Sequence, residues 1–208
     1  TLYCMNSADP VVIDMYGRMM IALEILESCP EFSWLIPEVR SNMVYARPDA
    51  ETPADVMAID GRITVVGGRP HAAGRPAFGA SSHMARFLLE LRRTDNSVRA
   101  GIDFANNDEF AAWLKAYCEK RNWTFSMIDR SREPVEVQQA ECGSMPWKVG
   151  EAVRAAGGRV PKICYENGAV GKEPVSVITG SDPITVAEAT HAIASEYISE
   201  TGPQWVRA

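Results

Sequence analysis

The feature that most constrains this chain is the alternation of helical and extended segments with no linker between them. Apolar residues recur at helical spacing over 10–28, 82–93, 108–120, 146–156 and 182–199. Between these lie short β-rich runs: "NMVYA" (Asn42 to Ala46), "RITVVGGRPHAAG", "VRAGIDFA", Trp123 to Asp129, "KICYE" and "PVSVITG". A helix that is apolar on one stripe must bury it, and short strands need a sheet. The pattern predicts one α/β domain over 1–208, with a mixed sheet and helices on its faces. The 208 residues suffice for one sizeable core.

Punctuation supports these limits. Asp9 before Pro10 is an N-cap followed by proline at the first helical position, and Pro30 stops that helix. Val12, Met15, Met19, Leu23 and Leu26 form its inward stripe. Ile13, Tyr16 and Met20 widen the apolar face, which predicts burial against a second subunit, a homodimer. Thr52-Pro53-Ala54-Asp55 is a capping pattern, Gly67-Gly68 a tight turn between two strands, and Gly157-Gly158 a helix end.

The net charge of −6 argues against a nucleic-acid partner for the surface as a whole. Its distribution is uneven. From Arg40 to Arg99 there are nine arginines, no lysine and six acids, a net +3, which leaves the rest at −9. Arginine's planar fork suits phosphate, and a solvated mixed surface explains the run equally well. Five scattered cysteines, none in a CxxC pair, read as reduced thiols in the cytoplasm. The apolar run from Val11 to Leu26 carries Asp14, Arg18 and Glu24, so it is no membrane span. The first residue is Thr1, which is consistent with a domain taken from a longer protein.

The candidate binding chemistry centres on "GASSH". Gly79 and Ala80 allow close backbone approach, Ser81 and Ser82 are placed to cap a helix, and His83 falls in its first turn. Free N–H groups and the helix dipole favour an anion there, although an ordinary N-cap needs the same residues. His71 and His191 read as packing residues, since no HxH or HExxH provides a zinc spacing. "ENGAVGKEP" departs from the P-loop pattern; either it is a glycine turn or Lys172 reaches a phosphate. "SMIDRSREP" ends a strand with Asp129 and Arg130, where α/β sheets usually hold ligands. Asp129 is a candidate Mg²⁺ ligand on a diphosphate, or the segment is a solvated charge cluster.

Taken in order, "LIPEVRSNMVYA", "IDGRITVVGGR", "PAFGASSHMAR", "MIDRSREP", "GSMPWKVGEAV" and "GAVGKEPVSVITGSDP" resemble the ThiN-type thiamine-phosphate synthases of archaea. The resemblance implies a three-layer α/β/α fold like that of the AraD-like aldolases and epimerases. It implies coupling of hydroxymethylpyrimidine diphosphate with hydroxyethylthiazole phosphate to give thiamine phosphate and diphosphate, with Mg²⁺ on the diphosphate. The family's catalytic pair falls on Arg62 and His83. The candidate phosphate- and substrate-binding residues of this chain are Asn42, Gly79, Ala80, Ser81, Ser82, Asp129, Arg130, Ser144 and Lys172. The resemblance also implies an upstream kinase or helix-turn-helix domain as a possible fusion. Its alternative reading is a non-catalytic domain of a repressor that senses thiamine phosphate.

Overall fold

The computed structural model describes residues 9–139, 144–168 and 173–206. In chain order the elements are α1 (Pro10–Glu27), β1 (Met43–Ala46), β2 (Val56–Ile59), β3 (Ile63–Val66), β4 (Arg69–Ala72), β5 (Pro76–Phe78) and α2 (Ser82–Arg92). There follow β6 (Ala100–Ala105), α3 (Asp108–Lys120), β7 (Phe125–Ile128), α4 (Val135–Gln139), α5 (Ser144–Ala155), β8 (Ile163–Glu166), β9 (Val175–Gly180) and α6 (Pro183–Thr201). Seven strands form one sheet in the order β5-β2-β1-β6-β9-β8-β7, and β3 and β4 form a separate hairpin. β7 and β8 run parallel, and the other neighbours are antiparallel. The expected mixed sheet between helices is therefore present.

Period-two alternation in the strands sorts their side chains into two cores. Met43 and Tyr45 of β1, Met57 and Ile59 of β2, and Ile102 and Phe104 of β6 pack with α1, α3 and α6. Val44 and Ala46, Val56 and Ala58, Cys164 and Val177 face the other way, against Met84, Phe87, Leu88 and Leu91 of α2 and Val149 and Ala152 of α5. Phe104, Phe110 and Tyr197 are almost fully buried and meet at ring distances of 6.1 Å and 4.4 Å. Each such side chain contributes roughly 1.5–3 kcal/mol on burial.

The expected caps hold in part. The Asp9 carboxylate accepts the Val11 N–H, and Asp55 accepts the Thr52 N–H at 2.9 Å. Ser81 occupies the N-cap position of α2, yet its hydroxyl caps nothing. This corrects the expectation that serines close that helix end. β2 and β5, which escaped the pattern, become strands because each completes a ladder. Met15 and Met19, on the expected inward stripe, are buried in the chain's own core, and Tyr16 and Met20 pack partly against it. The exposed large apolar side chains of α1 are Val11, Ile13 and Ile21. Among the described residues no helix is long and apolar enough to cross a membrane.

Candidate active site

The α2–α5 face of the sheet does not close completely. Asn42 shares the parity of Val44, Asp103 lies between Ile102 and Phe104, and Glu166 lies two residues beyond Cys164. All three therefore fall on that face. Register aligns them, with Asp103 opposite Val177 and Glu166 opposite Val175. Together with Arg62, Ser81, His83, Lys148 and Glu173 they line a cavity of about 310 Å³.

Arg62 reaches it through a turn. Its N–H donates to Ile59 O at 3.2 Å, closing a turn in which Gly61 (φ 71°) and Arg62 (φ 70°) are both left-handed. That conformation costs a non-glycine residue roughly 1–2 kcal/mol. It is held by the Ala73 N–H on Arg62 O and by Arg62 Nη1 donating to Val39 O at 2.5 Å. The rest of the guanidinium fork has no other hydrogen-bond partner among the described residues.

Asn42 works as a clamp. Its Oδ1 accepts Ile59 N–H at 2.9 Å and its Nδ2 donates to Ile59 O at 3.1 Å, so the side chain extends the β1–β2 ladder. Both amide groups are engaged, and Asn42 therefore positions the cavity wall. Its backbone N–H donates to Asp103 Oδ1 at 2.5 Å. Burial pushes the Asp103 carboxyl up to about 6, against the pull of that N–H and of the Arg62 charge, with Glu173 adding to the rise. Glu173 itself accepts the N–H groups of Glu38 and Val39.

From the cavity wall a buried ion ladder runs inward through Glu166 and Lys148. Arg130 (side chain 3% exposed) pairs with Glu133 (1%) at 2.7 Å and with Glu166, and Lys148 pairs with Glu166 at 2.7 Å. Arg130, expected to bind substrate, is not among the residues lining this cavity and pairs with Glu133 and Glu166. Asp129 does not line the cavity. Its Oδ1 accepts the Ser131 hydroxyl, Asn167 Nδ2 and the Ser131 N–H, and the hydroxyl lowers its pKa most. Among the described residues no cluster of three His, Cys, Asp or Glu side chains could hold a metal.

The expected pair Arg62 and His83 therefore shares one cavity with Ser81 and Asn42. Gly79 (φ 72°) makes the bend into α2, but Gly79, Ala80 and Ser82 do not line the cavity. Ser144 opens α5 one turn before Lys148, and Lys172 lies outside the described residues. Asp103, Lys148, Glu166 and Glu173 were not singled out from sequence. A lone acid within the apolar strand "AGIDFA" was the available signal for Asp103.

The model of the thiamine-phosphate synthase ThiN family matches residues 18–192. The chain belongs to that family. A ThiN thiamine-phosphate synthase from Methanothermobacter thermautotrophicus is 45% identical over 181 residues, 87% of this chain and 93% of that protein. The bifunctional thiamine biosynthesis protein ThiDN of Methanocaldococcus jannaschii is 33% identical over 165 residues, 78% of this chain and 37% of that longer protein. The crystal structure of the C-terminal domain of phosphomethylpyrimidine kinase superposes with a TM-score of 0.82 at 32% identity, covering 88% of this ThiN chain and 99% of that domain. A sugar-phosphate aldolase from Thermotoga maritima reaches a TM-score of 0.39 at 11% identity, too low to carry the expected aldolase likeness.

Proposed function

We propose that this ThiN chain is a thiamine-phosphate synthase. It joins hydroxymethylpyrimidine diphosphate to hydroxyethylthiazole phosphate with release of diphosphate. The observation that carries the reading is the convergence of Arg62, His83 and Asp103 on one cavity. Cleavage of the pyrimidine C–O bond separates charge. The leaving diphosphate gains negative charge while the methylene and the amino-substituted ring become positive. Fixed charges of both signs suit that transition state. In this reading Arg62, His83 and the uncapped N–H groups of α2 receive the diphosphate. The Asp103 carboxylate accepts a hydrogen bond from the ring's amino group and supports the cation. The thiazole nitrogen then forms the new C–N bond, and the cavity mainly positions it and excludes water.

Magnesium enters as a counter-ion carried by the diphosphate. The cavity's carboxylates already hold protein partners, so the described residues form no cage for a resident ion. The cytoplasm and a homodimer through the exposed stripe of α1 belong to the same reading. So does a kinase domain upstream, which the length of the bifunctional relative supports.

The test incubates purified protein with both phosphorylated substrates and Mg²⁺ and follows thiamine phosphate by chromatography. Product formed in step with released diphosphate is expected. Folded protein that binds a thiamine phosphate tightly and turns nothing over would instead favour the sensor.

A further inference from the structure

A larger cavity, about 570 Å³, lies on the outer side of α2, where that helix meets the loop before β2 and the start of α5. It shares no lining residue with the first. One stripe of α2 supplies Arg86, Leu89, Glu90 and Arg93, with Arg92 beside it.

Arg92 is the unusual member. It is 9% exposed and donates to Pro48 O at 2.7 Å and Val98 O at 3.3 Å, both neutral carbonyls. Among the described residues no carboxylate pairs with it. Burial lowers the Arg92 pKa, and the like charge of Arg99 lowers it further. Glu90 lines the cavity but pairs with Arg93 at 3.2 Å. A buried cation without a countercharge is costly unless an anion meets it. Three of the nine arginines of 40–99 line this cavity.

The size and the rest of the wall narrow the class of anion. The volume lies in the range of small-molecule sites, far above what a bare ion fills. Leu89 and Met145 offer apolar contact, and a guanidinium also stacks on aromatic rings. Glu51 and Glu90 carry acceptors for an amino group. We propose that this second cavity binds an organic phosphate bearing an amino-substituted aromatic ring. The inference does not rest on the synthase reading, because it concerns other residues and is read by binding alone.

The experiment is calorimetric titration of the full chain with ADP and with thiamine diphosphate, beside adenosine and inorganic phosphate as partial ligands. One-to-one binding of either diphosphate is expected, well above that of either partial ligand. The double variant Arg86→Glu/Arg93→Glu changes exposed positions and should weaken it about tenfold or more. Arg92→Met should do the same where it folds. Arg62→Ala/His83→Ala should leave it within about twofold. Binding of ADP alone identifies an adenine nucleotide, and binding of thiamine diphosphate alone a thiamine-type ligand; each supports the site. Absence of saturable binding by both overturns it. So does adenosine binding as tightly as ADP, or binding that follows Arg62 and His83 and ignores Arg86 and Arg93.

Discussion

Asp103 Oδ1 lies 2.5 Å from the backbone nitrogen of Asn42, whose own amide is locked onto Ile59. A carboxyl in the middle of β6 is thereby tied to the strand that leads, through Ile59 and Gly61, to Arg62. Its protonation should therefore be visible in catalysis. With a pKa near 6, kcat/KM should fall as pH drops below that value, because the protonated form cannot support a developing cation. Asp103→Asn should lower the rate and flatten that acid limb. An unchanged limb in the variant would assign the titration elsewhere.

The same shift has a stability side. The folded pKa is raised above the ordinary 3.8, so the folded state binds this proton more tightly. Its contribution to stability is full below about pH 3.8 and is lost as pH rises through about 6. Asp103→Asn should narrow the loss of Tm between mildly acidic and neutral pH relative to wild type. Thermal melts at half-unit pH steps measure it, and parallel curves for the two proteins would contradict the assignment.

Arg62 and His83 are expected to differ in kind. A charged donor to phosphate contributes roughly 1.5–3 kcal/mol, or about 10- to 150-fold in rate. Arg62→Ala should lose that much in kcat/KM. His83→Ala should retain part of its anion binding, because the α2 N–H groups remain. His83→Gln should fall between wild type and alanine if hydrogen bonding is the role, and should match alanine if His83 moves a proton. Steady-state kinetics decide between these, and wild-type rates in both alanine variants would remove the pair from the chemistry.

The ion ladder gives a separate stability prediction. Arg130→Ala removes the cation that Glu133, 1% exposed at its side chain, pairs with at 2.7 Å, and one of the two cations on Glu166. Breaking a buried pair costs about 3–5 kcal/mol. At about 2–4 °C per kcal/mol for a chain of this size, Tm should fall by roughly 6–20 °C. Calorimetry showing a drop below about 2 °C would mean that the ladder is more hydrated than its burial indicates.

Ile13→Glu with Ile21→Glu should leave the monomer fold intact, since both side chains are exposed (59% and 48%). If α1 carries the homodimer contact, light scattering should report a halved mass for the variant at equal concentration. A dimer that survives both charges lies on another face.

Much of the fold was legible because its signals are local. Asp9, Asn107 and Asp182 cap helices that begin where their sequences indicate, each carboxylate or amide accepting an N–H two or three residues on. β2 and β5 were not legible. "VMAI" and "PAF" are short, and become strands only through pairing with β1 and with each other. The site divided in the same way. His83 and Arg62 stand in compact motifs. Asp103, Glu166 and Lys148 sit in ordinary strands and a helix, and gain their role from cross-strand register, which spacing along the chain does not encode. Ser81 misled for the opposite reason: the residue type fits a cap, but tertiary placement put it on the cavity wall.

The order of the sheet bears on how copies of this molecule meet. Its outermost strands, β5 and β7, have three and four residues, and β5 opens with Pro76, which has no N–H to offer a neighbour. Such short borders resist edge-to-edge addition of strands. A seven-stranded sheet continued through two copies is thereby disfavoured. The borders guard against runaway strand pairing, while the catalytic face can stay open without exposing a template for aggregation.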